Sequence, residues 1–476
     1  MAYIPSLSCA RNRAWRYASP LSALLFGGFM GSCGDSKQAG ASCDPAAENP
    51  DSSCIETEVC EQVQGAQAKC FPPVTLQGSV FDLTTSTPIA AARVLARDAL
   101  GAAASNIAIT AMDGTYSLRI PSLRNPDGSV VAANYTLRAD ASGYQSFPGG
   151  VRTALPVAVM GTPTAQGLVI SSTLTAIGLA ALPAMPRGSI AGSISAPIKS
   201  GVLVAGGGST AISDLSGSFV MFNVMPGPVT VRGYAAGEQL TPAMVTVADG
   251  ARTEGAILSA ASTPLSTVTG SIQFPDPGSC GGTSVLLVLD ETFNTTLERG
   301  ESPRGLRVGN VNGSYTIPSV PDGSYKVLAA FENDNCVRDP SATGGTAIPS
   351  IALPAAGGMR TITVTSFKVT GALAVRGPGT DQPDAITSGM PVFTWADDKS
   401  ENHYELRVYD SQGKEIHSNT AVPGVSGNPD VKYTYPGTPA LVPGAYYQFR
   451  ATSISTGGSA LSRTEDLRGV FYLPKP

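Results

Sequence analysis

A short glycine-centred pattern recurs three times in this 476-residue chain and strongly limits its possible folds. The first half of each copy is Leu76-Gln-Gly-Ser-Val80, Ile190-Ala-Gly-Ser-Ile194 or Val268-Thr-Gly-Ser-Ile272, with a weaker copy at Val369-Thr-Gly-Ala-Leu373. The second half is Met112-Asp-Gly-Thr-Tyr-Ser-Leu118, Leu215-Ser-Gly-Ser-Phe-Val-Met221 or Val311-Asn-Gly-Ser-Tyr-Thr-Ile317. Such self-similarity predicts a chain of tandem modules rather than one large core.

The second half of each copy is typical of a tight turn followed by a strand. Asp-Gly, Ser-Gly and Asn-Gly pairs suit hairpin turns, because glycine adopts positive φ without steric cost. The residues that follow alternate apolar and polar, as in a half-buried strand. We therefore predict an all-β fold of tandem small antiparallel β-sandwiches behind an N-terminal disulfide-rich knot. Tyr116, Phe219 and Tyr315 are expected in the cores.

These motifs resemble the carboxypeptidase regulatory-like domain, a small sandwich related to transthyretin-like and collagen-adhesin B-type modules. The resemblance covers residues 74–368 and implies three β-sandwiches, at 74–186, 187–265 and 266–368. The second and third copies also carry a Pro-Gly or Pro-Asp-Gly turn before a further strand. The first copy lacks this turn and has an insertion at residues 121–133 instead.

Residues 369–476 have a different pattern. Pro391-Val-Phe-Thr-Trp395 precedes an alternating strand at His403, and Leu441-Val-Pro-Gly-Ala-Tyr-Tyr447 follows. This segment resembles a fibronectin type III domain. The resemblance implies that Trp395 lies in the core and that the Tyr447 hydroxyl bonds back to upstream backbone.

The first 32 residues are typical of an export signal. Arg11, Arg13 and Arg16 precede a short apolar stretch that ends at Met30-Gly-Ser-Cys33. This resembles a bacterial lipoprotein signal and implies lipidation of Cys33, hence a membrane partner through a lipid anchor. The alternative is a plain secretory signal with Cys33 incidental. The chain has 31 Lys and Arg against 36 Asp and Glu, which excludes a strongly basic nucleic-acid binder.

Six further cysteines are disulfide candidates, because an exported chain meets an oxidising compartment. They are Cys43, Cys54, Cys60, Cys70, Cys280 and Cys336. The first four lie in the segment 33–73, where three connectivities are open. Their spacing lacks the paired CxxC pattern of a zinc site.

The sequence contains no nucleophile elbow, phosphate-binding loop or dinucleotide fingerprint. Its two histidines, His403 and His417, are expected on the surface, so we predict no enzyme and no cofactor. Residues 289–303 resemble a degenerate calcium loop, in which Asp290, Asn294 and Glu301 could supply oxygen ligands. The alternative is a solvated connection between strands.

The expected function is that of a non-catalytic, lipid-anchored protein of the cell envelope, at the outer membrane or cell surface. It would act as a structural or adhesive display module with a protein or glycan ligand. The alternative is a carbohydrate-binding module protein, since the resemblance includes carbohydrate-binding-like sandwiches. That alternative requires exposed aromatic side chains.

Overall fold

The structure is a computed structural model that describes residues 37–45, 47, 49–98, 101–276, 280–329, 334–341, 347–425 and 430–474. The predicted signal segment and Cys33 lie outside the described residues. Those residues form β-strands and 3-10 helices at Pro50–Ser53, Thr173–Thr175, Asp290–Thr292 and Ala356–Gly358. None of these helices has the length and apolar character needed to cross a membrane. The described part of the chain has no α-helix, and the predicted all-β class is confirmed.

The cysteine-rich segment is a disulfide-stapled hairpin of strands β1 (Val59–Val63) and β2 (Ala66–Phe71). The disulfides are Cys43–Cys60 and Cys54–Cys70. The structure thereby selects one of the three connectivities. The four half-cystines are buried together, so they replace the apolar core that so small a segment cannot build.

The insertion at residues 121–133 docks this knot onto the first sandwich. Arg124 forms an ion pair with Glu61, and both side chains are fully buried. Arg124 also donates to the Pro72 carbonyl oxygen at 2.8 Å, and its own carbonyl accepts from the Gln64 amide at 2.8 Å. The departure of the first copy from the repeat pattern therefore has a structural role.

Three sandwiches of two sheets each follow the knot. Sandwich 1 contains β3 (Val74–Asp82), β4 (Arg93–Arg97), β5 (Ala108–Ile109), β6 (Thr115–Arg119), β7 (Val130–Asp140), β8 (Val157–Gly161), β9 (Leu168–Ile170) and β10 (Ala176–Leu179). Sandwich 2 contains β11 (Gly188–Ser195), β12 (Leu203–Gly206), β13 (Ser209–Ile212), β14 (Ser218–Val224), β15 (Gly227–Tyr234), β16 (Ala243–Val247) and β17 (Arg252–Ser259). Sandwich 3 contains β18 (Ser266–Asp276), β19 (Thr283–Leu289), β20 (Arg307–Val311), β21 (Ser314–Val320), β22 (Gly323–Ala329), β23 (Cys336–Arg338), β24 (Ser350–Leu353), β25 (Thr361–Thr363) and β26 (Phe367–Gly371).

These sandwiches share one strand order. Each opening strand (β3, β11 or β18) lies between an antiparallel aromatic-bearing strand (β6, β14 or β21) and a parallel closing strand (β10, β17 or β26). The second sheets have the orders β5-β4-β7-β8, β13-β12-β15-β16 and β20-β19-β22-β24. The sequence did not indicate the parallel pairing. It arises because the chain crosses over from the second sheet and returns beside the opening strand in the same direction.

The two halves of the repeated pattern are cross-strand neighbours. The opposed pairs are Gly78 and Tyr116, Gly192 and Phe219, and Gly270 and Tyr315. All three rings are buried, as predicted. A Cβ on Gly270 would lie 2.4 Å from the Tyr315 hydroxyl oxygen. The glycine therefore leaves room for the ring to lie across the opening strand.

Sandwich 3 is closed by the third disulfide and by a strand that crosses the predicted boundary at residue 368. Cys280 is bonded to Cys336 with a Cα separation of 5.1 Å. Strand β26 pairs with β18 and β23, and Val369 is buried in the same core. The weaker fourth copy of the glycine pattern thus belongs to a closing strand, where no aromatic partner strand follows.

Sandwich 4 contains β27 (Val375–Gly377), β28 (Asp384–Ala385), β29 (Val392–Ala396), β30 (His403–Asp410), β31 (Glu415–Pro423), β32 (Asp430–Thr434), β33 (Tyr446–Ile454), β34 (Ala460–Arg463) and β35 (Val470–Tyr472). A sheet β27-β29-β32 packs on a sheet β28-β35-β33-β30-β31, with β34 paired to β33. Trp395 is fully buried between them. The Val442 amide donates to the Tyr447 hydroxyl oxygen at 2.8 Å.

Two strands are buried on both faces, and β12 joins sandwich 2 to sandwich 3. In β12, Val204 lies in the core of sandwich 2, whereas Leu203 and Ala205 belong to the core of sandwich 3. In β19 every residue is buried, because Leu286 and Val288 pack with Leu328 in a separate cluster within sandwich 3. An uninterrupted apolar run, rather than an alternating one, is the sequence signal of such strands.

Candidate functional site

One loop of sandwich 3 contacts all three other sandwiches. It connects β19 to β20, spans residues 290–306, and we call it the junction loop. It contains the residues for which the sequence suggested calcium binding. Its contacts with the other sandwiches make it a junction between modules.

The three suggested calcium ligands have protein partners. The Asp290 Oδ1 atom lies 3.1 Å from the Lys326 ammonium nitrogen. The Asn294 side-chain oxygen accepts hydrogen bonds from the backbone amides two and three residues downstream, at 2.9 Å each. Glu301 is engaged by Arg138 of sandwich 1. These oxygens therefore stabilise the loop and its contacts.

The described residues contain one close set of three potential metal-ligand side chains, which are Cys43, Cys54 and Cys70. Their sulfur atoms are already used in disulfides. The two histidines have separate surroundings in sandwich 4. His403 lies opposite Pro423 in the β30–β31 hairpin, and the His417 Nε2 atom lies 2.9 Å from the Tyr433 hydroxyl oxygen.

Glu301 joins sandwiches 1, 2 and 3. It accepts hydrogen bonds from Arg138 Nη1 and from the Thr210 hydroxyl, each at 2.5 Å. Arg138 also forms a bidentate pair with Asp140 at 2.8 and 3.0 Å. Burial acts to raise the pKa of Glu301, but the charge of Arg138 and the hydrogen bonds from Thr210 and Arg138 together outweigh it and hold this pKa below its usual range. The carboxylate is therefore charged at neutral pH.

Arg299 joins the junction loop to sandwiches 1 and 4. Its guanidinium donates to the Gly150 carbonyl oxygen at 3.1 Å and makes a shorter bond to the Asp466 carbonyl oxygen. Beside it, Leu297 packs with Val151 and Tyr409 in a small apolar cluster. One turn of the junction loop thus inserts between two sandwiches.

Glu298 extends this junction through a second set of charges. Its carboxylate forms ion pairs with Arg338 of sandwich 3 and Arg463 of sandwich 4. Burial acts to raise the pKa of Glu298, but the charges of Arg463 and Arg338 lower it well below its usual range. Paired charges of this kind are hydrogen-bonded and partly desolvated, so they depend on one another's positions.

Direct contacts also link sandwich 1 to its neighbours. The Arg152 guanidinium carbon lies 4.5 Å from the Phe147 ring centroid and 4.3 Å from that of Tyr446 in sandwich 4. The Asn223 amide of sandwich 2 donates to the Ala141 and Tyr144 carbonyl oxygens at 3.0 and 2.8 Å. Asn223 has a φ of 62°, a conformation that asparagine tolerates better than most residues.

These contacts surround a cleft of about 640 Å³ that all four sandwiches line, and we call it the central cleft. Its wall includes the arginines Arg97, Arg152, Arg299 and Arg307 and the acids Asp98, Glu291 and Glu301, together with hydroxyl, amide and glycine backbone groups. Its volume lies within the range of small-molecule binding sites.

Aromatic side chains of the described residues are buried or half-buried, as at Phe293 and Tyr433. No tryptophan, tyrosine or phenylalanine of the described ranges is among the exposed large apolar residues. Sugar-binding platforms depend on such rings, so the carbohydrate-binding alternative gains no support from this surface.

Sequence reasoning singled out Glu301 but not its partner Arg138, nor Arg299 or Asn223. One signal was available: Glu298-Arg-Gly-Glu301 is a dense charge run in a chain with only 14% charged residues. An isolated charge run of this kind usually forms a solvated face. The amino-acid sequence alone does not reveal that it contacts another module.

No family model matches the sequence, and no curated protein matches it. Among solved structures, similarity is found to the Bacillus anthracis TIE protein, with 11% identity, 80% of this chain and 65% of that chain covered, and a TM-score of 0.14. The chain thus spans slightly less than two thirds of that protein. BcpA, the major pilin subunit of Bacillus cereus, has 8% identity, coverage of 62% and 99%, and a TM-score of 0.17. A streptococcal ancillary pilin has 11% identity, coverage of 62% and 98%, and a TM-score of 0.17. Scores this low do not establish a shared overall arrangement, so the function rests on the molecule's own contacts.

Proposed function

We propose that this chain is a non-catalytic structural or adhesive protein of the cell surface, whose sandwiches are held in a fixed relation by the junction loop. The observation that carries the proposal is the loop's set of ion pairs and apolar contacts to three other sandwiches. Such contacts suit a protein that presents surfaces in a defined geometry. A flexible string of modules would not need these contacts, whose buried charges cost desolvation free energy.

The module assignments belong to the same proposal. Residues 74–186, 187–265 and 266–371 are carboxypeptidase regulatory-like modules, supported by their common strand order. Residues 372–476 are a fibronectin type III-like module, supported by buried Trp395 and by the hydrogen bond to the Tyr447 hydroxyl. Export, and lipidation at Cys33, follow from the sequence of the first 33 residues.

The fixed geometry is tested by small-angle X-ray scattering of the full chain. Glu301→Lys replaces the carboxylate beside Arg138 with a positive charge and should open the junction, so the radius of gyration should rise. Glu254→Lys is the control, because Glu254 pairs with Arg252 on an exposed strand of sandwich 2. Equal radii for wild type and Glu301→Lys would contradict the proposal.

The location is tested separately in the producing cell. Palmitate labelling and protease treatment of intact cells should show a labelled, externally cleaved chain. Cys33→Ser should abolish the label. A label that remains after this substitution would argue against the lipid anchor. Protection of the chain from protease in intact cells would argue against the surface location.

A further inference from the structure

Arg97 is an arginine without a partner in the wall of the central cleft. It is the last residue of β4, and its Nε atom is buried with no hydrogen-bond partner. No described residue forms an ion pair with its guanidinium. The residue as a whole is half-buried. A buried polar atom without a hydrogen-bond partner is costly, so the Nε atom of Arg97 requires an explanation.

The neighbouring arginines all have acceptors. Arg138 pairs with Asp140 and Glu301, and Arg152 donates to the Gly178 carbonyl oxygen. Glu301 is the acid that would neutralise Arg97 at longer range, but its oxygens are occupied by Arg138 and Thr210. Arg97 therefore differs from Arg138 and Arg152, because no carboxylate or carbonyl oxygen of the described residues accepts a hydrogen bond from its guanidinium.

Arg97 keeps its charge despite this environment. Burial lowers the pKa of Arg97 to about 10, with a further contribution from the positive charge of Arg138. At pH 7 the group is still protonated. A cationic donor group is therefore present at the edge of the cleft.

A second arginine in the same wall, Arg299, also has a buried Nε atom without a hydrogen-bond partner. Arg299 is 8% exposed, and its terminal nitrogens are bonded. The wall also contains Arg307, the acids Asp98, Glu291 and Glu301, and neutral polar groups such as those of Ser146 and Gln412. Four arginines therefore face three acids in a cleft of about 640 Å³, and Glu301 is already bound by Arg138 and Thr210.

We propose that the central cleft binds a small anionic ligand, whose carboxylate or phosphate group accepts hydrogen bonds from the Arg97 guanidinium. Planar guanidinium groups bind both kinds of anion in a bidentate manner. The neutral groups of the wall would bind the ligand's uncharged part. Since four sandwiches form the cleft, the ligand would also stabilise their arrangement.

The test is calorimetric unfolding of the full chain with increasing phosphate or citrate at constant ionic strength. Wild type should show a saturable rise in Tm with at least one of the two anions. A preference for phosphate or for citrate identifies which anionic group the site favours. No saturable rise with either anion would overturn the proposal.

Substitutions locate the site. Arg97→Met should weaken binding by about tenfold or more, the size expected for a charged hydrogen bond. Its ligand-free Tm should be unchanged or higher, because a desolvated charge is removed. Arg252→Met, at an exposed arginine of sandwich 2, is the matched control and should bind like wild type.

If Arg97→Met does not fold, Arg97→Gln replaces it. An undiminished response in either variant would show that the anion binds elsewhere and would overturn the proposal.

Discussion

The Glu301 carboxylate accepts a hydrogen bond from Arg138 at 2.5 Å, although 163 residues separate the two in sequence. This pair links sandwich 3 to sandwich 1, and the Thr210 hydroxyl adds sandwich 2 to the same point. A single carboxylate therefore contacts three modules. Its removal has consequences that an exposed ion pair does not share.

Glu301→Gln should destabilise the junction. Arg138 keeps its bidentate partner Asp140, so the loss should be about 1–3 kcal/mol, the usual cost of removing one partner of a charged hydrogen bond. The apparent Tm in calorimetry should fall, and the transition should split as the modules uncouple. In contrast, Glu254→Gln removes an exposed partner of Arg252 and should cost at most about 1 kcal/mol. Similar losses for the two variants would contradict the role of Glu301.

The junction should weaken in acid. Glu298 and Glu301 have pKa values below the ordinary 4.5 in the folded protein. Their stabilisation is therefore complete above about pH 4.5 and is lost as the pH falls through the folded pKa values. Glu298→Gln should be less stable than wild type at pH 6, and the difference in Tm should shrink towards pH 3. A constant difference across this range would mean that Glu298 has the same pKa in the folded and unfolded states, which would contradict the lowered pKa.

The disulfide of sandwich 3 should contribute more than either disulfide of the knot. Cys280 and Cys336 are 56 residues apart, whereas the knot disulfides close loops of 17 and 16 residues. In the chain-entropy model the longer loop is worth roughly 4 kcal/mol. The double variant Cys280→Ser/Cys336→Ser should lower the Tm of sandwich 3 in calorimetry. Its knot disulfides should remain intact by mass spectrometry, which separates the two effects.

The repeated glycines should tolerate no Cβ. In Gly192→Ala the new atom would lie 2.0 Å from the Ala256 carbonyl oxygen and 2.6 Å from the Phe219 ring. We expect a loss of about 1–3 kcal/mol in urea unfolding, the usual cost of overpacking. Gly309→Ala is the control, since nothing lies within 4 Å of its Cβ position. Gly192→Ala with unchanged stability would show that the opening strand can move away from the ring.

Much of the fold was predictable because its signals are local. Gly313, which follows Asn312 in the turn before β21, has a φ of 117°, as the Asn-Gly sequence anticipated. Burial of Tyr315 and Trp395 followed from strand periodicity and from the family resemblances. The parallel closing strands were not predictable, because alternation in a strand does not reveal the direction of its neighbour.

The candidate site was mostly not predictable. Asp290, Asn294 and Glu301 were singled out as oxygen donors, and the structure engages each of them with protein groups. Residue type and spacing suggested a ligand set, but they contained no information on the positions of Arg138 or Lys326. Those positions depend on how entire sandwiches dock.

The amino-acid sequence by itself determined the modules: the turns, the strand periodicity, the buried aromatic rings and the pool of cysteines. These depend on interactions among neighbouring residues, which a one-dimensional pattern records. The tertiary structure alone decided the disulfide pairing, the contact of Glu301 with Arg138 and the central cleft that leaves Arg97 without a partner. Such features depend on distances between residues far apart in the chain, and the electrostatic energy of a charge is set by those distances and by burial.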